Sequence, residues 1–458
     1  MPKNNKNKHM SKTSVHSNLS KKEKTKPTNK AKVETQHIKS HTFSKKAKPI
    51  VEEKPDPIDK VHKIAEASAR HYGLVPFAGL SVQKEDIVKA KGFKVGAKRV
   101  NKDEIIGSLR FENFLEEYVS VTRAYVNKEM SDLVQPPMIC HSGPLHGNSH
   151  FDKNKEKNKD HIFSMHILGN AKSIADAMII ETSYVILKDH VDKGELLIEI
   201  NSLGDKDCFT KFAKEYSLYF KKNISELATP CRHAFKKDLM STVLCDHDGC
   251  LAIQDAAPKP ISYLTEEYRE HFREVLEYIE SLNLPYIINH SLIGSGLYAG
   301  GTVFQITAFT IKGRQDKKEV LAIGERYNSV SKKAWGKKDV PAIGAHLLIE
   351  ADPARKVPKT IAVEDIKFYF IHLGYDAKLK SLSIMEMLRV AKIPVHQALS
   401  RDKITSQIAA AEKLAVPYIL ILGQKEAIEN SVTVRHMNTR VQETIKVQDL
   451  IDYLQKLL

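Results

Sequence analysis

No stretch of this sequence approaches the ~18 consecutive apolar residues that a membrane-crossing helix needs, so no membrane partner is expected. Cysteine is scarce as well, with five in 458 residues. The N-terminus offers Lys and Asn where a secretory signal would place an apolar stretch. Together these features argue against a secreted disulfide framework and for a reducing, cytoplasmic setting. Acidic residues are nearly missing from the first fifty positions, where fourteen lysines stand against Glu23 and Glu34. Aromatic residues are almost missing there too. Such a segment cannot bury enough surface to offset its ordering entropy, so a disordered Lys-rich tail is expected over residues 1–55. Two readings of the tail stay open: a solubilising leader, or an electrostatic arm that raises affinity for RNA phosphates in a salt-dependent way.

The net charge of +15 is therefore mostly a property of the tail. The rest of the chain has the composition of a globular protein, with 42% apolar residues overall and a length sufficient for two or three domains. Pro55 and Pro57 close the tail. Ile58, Val61, Ile64, Ala65 and Ala69 then recur at helical spacing, which predicts an amphipathic helix ending near Tyr72. From there to about Glu350, strand-like runs such as Glu195–Ile200 and Gly301–Ala308 mix with long helical stretches and no regular alternation, the pattern of an α+β sheet domain. A Pro-rich basic linker over Asp352–Pro358 is followed by strict alternation. Strands are predicted at Ile366–His372, Val395–Leu399, Tyr418–Leu422 and Ser431–His436, and helices at Leu382–Ala391, Ile404–Leu414 and Val447–Leu457. That order predicts a small α/β domain with a largely parallel sheet.

The segment Gln407-Ile-Ala-Ala-Ala-Glu-Lys-Leu-Ala-Val-Pro-Tyr-Ile-Leu-Ile-Leu-Gly423, with Val432-Thr-Val-Arg-His-Met-Asn-Thr439, Gln442 and Leu450-Ile-Asp-Tyr-Leu454, resembles the anticodon-binding domain of histidyl-tRNA synthetases. Upstream, Leu109-Arg-Phe-Glu112 and Arg123-Ala-Tyr125 are similar to that family's Leu-Arg-Pro-Glu segment and its trailing Arg-Ala-Tyr. Pro137 to Pro144 resembles the strand entering motif 2, and Ile198-Glu-Ile-Asn-Ser-Leu-Gly-Asp205 the family's Asn-Ser-Ile-Gly segment. Leu292 to Ile306 and Gly324-Glu-Arg-Tyr-Asn328 look like the two histidine-specific motifs, and Ile343 to Glu350 like motif 3. Matches in the family's order carry more weight than any single one. The resemblance implies a class II synthetase antiparallel-sheet core over residues 56–355 with a helical insertion over 206–283, then an anticodon-binding-like domain over 361–458. It also implies a homodimer and a tRNA or other RNA partner; the residues themselves offer Arg401, Lys403, Arg435, His436 and Arg440 as candidate RNA-facing charges near strand ends, with solvated loop charges as the competing reading.

The chemistry departs from the family. Forming an adenylate develops negative charge on the α-phosphate, which fixed guanidinium groups are suited to hold. Where the family reads Gly-Pro-x-Phe-Arg-x-Glu, this chain reads Gly143-Pro-Leu-His-Gly147-Asn-Ser149, so Gly147 takes the arginine's place. Leu292-Ile-Gly294-Ser-Gly-Leu-Tyr298-Ala299 likewise puts Gly294 on an arginine and Ala299 on a tyrosine, and Glu350-Ala351 replaces the motif 3 Glu-Arg. Phe114, Ile162 and His166 occupy places where the family has amino-acid-pocket residues, and Leu80 stands where motif 1 has its proline. Glu112, Tyr298, Arg326 and Tyr327 match positions near the family's histidine pocket and remain candidate ligand-binding residues. These departures point to a non-catalytic relative that binds RNA in an accessory or regulatory role. One alternative is an active histidine–tRNA ligase using ATP and magnesium, with His146, His150 or the Lys153–Lys159 run replacing a lost cation. A second is a small-molecule-sensing regulatory subunit, although the regulator type in this family lacks the C-terminal domain. Finally, Cys208, Cys231, Cys245 and Cys250 fall within the insertion, where four thiolates could close a structural zinc site; His233 and His247 are alternative ligands, and unliganded buried thiols are the competing reading.

Overall fold

The apolar spacing after Pro55 forms the expected helix, α1 (Pro57–His71), with Pro at its first position, where the missing N–H costs no hydrogen bond. In this computed structural model the described residues are 57–77, 81–92, 111–144, 161–190, 195–237, 247–295, 301–312, 315–349, 366–397 and 403–458. The Lys-rich tail, Leu80, Gly147, Tyr298, Ala351, Arg401, Cys245 and the side chain of Glu112 lie outside them.

The core continues through β1 (Val75–Pro76), α2 (Lys84–Lys91), α3 (Leu115–Val126), β2 (Met138–Pro144), β3 (His161–Leu168), α4 (Ser173–His190) and β4 (Glu195–Ser202). The insertion is helical among its described residues: α5 (Lys206–Lys222), α6 (Thr229–Lys237), α7 (Asp248–Asp255) and α8 (Glu266–Ser281). Then come β5 (Tyr286–Ile288), β6 (Thr302–Lys312), β7 (Gln315–Arg326), α9 (Val330–Trp335) and β8 (Ala342–Leu348). Eight strands form one sheet in the order β1-β2-β3-β8-β7-β6-β4-β5. Its inner pairings are antiparallel, while the edge pairs β1–β2 and β4–β5 run parallel.

Strand β3 explains why the sheet is covered on both sides. Phe163, Met165 and Ile167 pack into one apolar cluster with Ala65 and Ala69 of α1 and with Ile174, Met178 and Ile186 of α4. Ile162 and Leu168 belong to another cluster, with Tyr118 and Val121 of α3. Side chains alternate faces along a strand, so Ser164 and His166 point to the α3 side. An almost continuously buried strand is what two covered faces require.

The C-terminal domain comprises β9 (Phe368–His372), α10 (Tyr375–Val390), β10 (Val395–Gln397), α11 (Ile404–Lys413), β11 (Tyr418–Leu422), α12 (Gln424–Glu429), β12 (Ser431–His436), β13 (Gln442–Lys446) and α13 (Leu450–Gln455). Its sheet order is β10-β9-β11-β12-β13. The predicted parallel sheet holds for β10, β9 and β11 only; β12 and β13 join antiparallel. Strand β13 escaped the sequence reading because it is an edge strand with Ile445 its one buried residue, so no apolar alternation marks it. Helix α11 is held to β9 by Gln407, whose buried amide bonds the backbone N–H and C=O of His372.

The site on the α3 face of the sheet

Register alone gathers an unusual set of side chains. His141 on β2 pairs with Ser164 on β3, which pairs with His346 on β8. Directly paired residues share a face, and His166, two residues beyond Ser164, shares it too. Helix α3 crosses this face and lowers Glu117, from its first turn, onto the three imidazoles. Glu117 Oε1 lies 2.9 Å from His166 Nε2, 3.0 Å from His141 Nε2 and 3.5 Å from His346 Nδ1. Gly344 sits opposite His166 because a Cβ there would come within 2.5 Å of His166 Nδ1.

Further side chains close the cluster. Tyr327 Oη lies 3.0 Å from His166 Nδ1, so with Nε2–H donated to Glu117 the tyrosine donates to Nδ1. The Tyr327 ring stacks on Tyr118 at 4.4 Å, and Phe114 stacks on His346 at 3.6 Å. Ser164 Oγ is 3.0 Å from His346 Nδ1. His166, His346, Tyr118 and Tyr327 are fully buried. Burial works against ionising Glu117, but the charge of neighbouring His141 and the hydrogen bonds from His141 and His166 outweigh it and hold the carboxyl well below the usual range. Burial also lowers His166 and takes His346 down to about 3, which favours the neutral form of each ring.

Of the ligand-binding candidates, Arg326 and Tyr327 are neighbours at the end of β7, and both are engaged within the protein. The guanidinium of Arg326 grips Asp176 of α4 at 2.6–3.0 Å and donates to the carbonyls of Asn170 and Lys172. Burial would raise the Asp176 carboxyl, but Arg326 and His271 hold it at about 2. Gly294 adopts φ +56°, and a Cβ there would meet Glu325 Oε2 at 2.5 Å. That oxygen already accepts from Ser295 N at 2.9 Å and Ser295 Oγ at 3.1 Å. Asn201 Nδ2 donates to Leu292 O at 3.0 Å and fixes the start of the same segment. The position is thus shaped for glycine.

The RNA-facing candidates separate. Arg435 and Arg440 lie on the β12–β13 hairpin, beside the start of β11, where Arg435 pairs with Ile419. Lys403 caps α11 at the other end of the sheet, one turn from the Gln407–His372 bonds at the end of β9. In the insertion, Cys208 packs under Gly204 and Leu264, Cys231 Sγ lies 3.3 Å from His247 Nδ1, and Cys250 Sγ accepts from Ala228 N at 3.3 Å. His233 is exposed on α6. Among the described residues, Glu117, His166 and His346 form the one trio whose donor atoms converge for a metal ion. The sequence reading missed Glu117, His141 and His346, and met His166 only as a departure from the family. Their only signal was three histidines on separate strand-like runs.

A family model described as "Anticodon binding domain" matches residues 367–457. The histidine–tRNA ligase of Halothermothrix orenii is 26% identical over 348 residues, which is 75% of this chain and 81% of that protein. That of Fervidobacterium nodosum is 27% identical over 323 residues, 70% of this chain and 75% of the relative. The crystal structure of apo S. aureus histidyl-tRNA synthetase aligns with TM-score 0.44 and 19% identity over 86% of this chain and 93% of that one. The core sheet with its helical insertion and the C-terminal anticodon-binding domain make an α+β class II synthetase fold. The matched C-terminal domain and the relatives at 26–27% identity, which align with 70–75% of this chain, support a histidyl-tRNA synthetase-family protein.

Proposed function

We propose that this protein no longer forms histidyl-adenylate and serves as an RNA-binding accessory or regulatory factor, with residues 367–457 as its tRNA- or RNA-contacting domain. The observation that carries the reading is the filling of the α3 face: Glu117, three histidines and two stacked ring pairs occupy the space over β2, β3 and β8. Two further features support it. The cation within the second histidine-specific motif, Arg326, is neutralised by Asp176, and Gly294 leaves no room for the family's arginine. Each missing preorganised phosphate donor costs about 2.7–4 kcal/mol of transition-state stabilisation, so two or three such losses remove useful turnover.

Histidine-dependent ATP–pyrophosphate exchange by the purified chain tests the reading directly. The expected result is no exchange above background, together with saturable tRNA or RNA binding by filter retention. Robust exchange would instead support the active ligase, the activity for which the relatives at 26–27% identity are named. Homodimerisation, inferred from the family resemblance, belongs to the same proposal and is read by light scattering.

A further inference from the structure

Among the described residues, the cluster under α3 holds one buried ring nitrogen without a hydrogen-bond partner. Three imidazole nitrogens surround a single carboxylate oxygen, Glu117 Oε1, at 2.9, 3.0 and 3.5 Å. That oxygen has two lone pairs, which His166 and His141 use. His346 Nδ1, hydrogen-bonded with Ser164 Oγ at 3.0 Å, faces the same oxygen at 3.5 Å, while its Nε2 is the buried nitrogen with no partner among the described residues. A zinc ion ~2.0–2.1 Å from each donor, in tetrahedral geometry, would set its ligands ~3.3–3.4 Å apart. The two separations from Glu117 Oε1, 2.9 Å to His166 Nε2 and 3.5 Å to His346 Nδ1, bracket that edge length, and all three donor atoms lie within 4.8 Å of one another.

We propose that Glu117 Oε1, His166 Nε2 and His346 Nδ1 bind one divalent transition-metal ion, with zinc the natural occupant. Two imidazoles and a carboxylate are a borderline donor set that favours such ions over magnesium or calcium, which prefer oxygen throughout. The outer partners fit as well. With Nε2 on the ion, His166 would carry its proton on Nδ1 and donate it to Tyr327 Oη, 3.0 Å away, reversing that bond relative to the metal-free tautomer, and Phe114 stacked at 3.6 Å fixes the plane of His346. His141 Nε2, 3.0 Å from the same carboxylate oxygen, orients Glu117 from the third strand. The ion would tie α3 to β3 and β8 across the face where the family's pocket is expected. This inference does not depend on loss of catalysis, because a metal can be measured whether or not exchange occurs.

The test uses the full chain, stripped with chelator and titrated with zinc, then separately with cobalt(II). The expected result is one tightly bound zinc per chain, and a cobalt(II) spectrum with visible d–d bands but no intense near-ultraviolet thiolate-to-cobalt band. His346→Gln should weaken zinc binding at least 100-fold, whereas Cys231→Ser should leave it unchanged. The native-chain cobalt spectrum reads the ligand type even if His346→Gln fails to fold. Substoichiometric zinc after titration overturns the proposal. So does a thiolate-dominated cobalt spectrum that Cys231→Ser abolishes, which would place the ion in the insertion instead.

Discussion

At the scale of single residues, the positions that most affect the proposed function are those whose surroundings are already complete. Arg326 and Asp176 are both buried, and each is the other's charge partner. Removing one partner of such a pair strands the other charge, so Asp176→Asn should lower stability by about 3–5 kcal/mol, read from the urea midpoint at constant slope. Gly294→Arg would restore the family's residue type. Here it meets a positive φ and the Glu325 carboxylate at Cβ distance, so we expect a loss of at least ~1–2 kcal/mol in stability and no gain in pyrophosphate exchange. The glycine itself was legible in the sequence as a departure from the family. The reason an arginine could not simply be put back was not, because Glu325, thirty residues beyond Ser295, is on another element and only the fold brings it near.

At the scale of elements, strands β2, β3 and β8 and helix α3 illustrate what periodicity conveys. The run His161–Leu168 is readable as a strand, and its two-residue period assigns His166 to the face opposite Met165. Which strand lies beside it is a matter of pairing, and β8 is some 180 residues further along the chain. A second junction joins α1 to α10. Tyr72 Oη donates to Glu386 Oε2 at 2.6 Å, and His71 Nε2 donates to Met385 O at 3.2 Å. Burial takes the His71 imidazole down to about 4, with the Met385 hydrogen bond opposing that shift. Because the folded state prefers the neutral ring, the contribution of His71 is complete above pH 6.5 and is lost as pH falls toward 4. Urea titrations at stepped pH should show stability declining through that window, and His71→Gln should flatten the decline.

At the scale of the whole molecule, the proposed RNA binding can be assigned to one surface or another by charge removal. Arg435 and Arg440 sit together on the β12–β13 hairpin, whereas Lys403 stands at the far end of the same sheet. If the hairpin is the contact surface, Arg435→Ala with Arg440→Ala should reduce the slope of log affinity against log salt by about 1 for each phosphate no longer neutralised. Lys403→Ala should leave it nearly unchanged. Deleting residues 1–50 would show whether their fourteen lysines act as an electrostatic arm, through a further drop in that slope. The sequence by itself determined the family resemblance, the order of sheet core, helical elements and C-terminal α/β domain, and the residue types at the motif positions, because ordered motifs and residue types are local information. Tertiary structure decided which groups face one another: the engagement of Arg326 by Asp176, the glycine shape at Gly294, and the gathering of Glu117 with three histidines. The physical reason is that hydrogen-bond register between distant strands, and the helix laid across them, place side chains in contact that no spacing along the chain encodes.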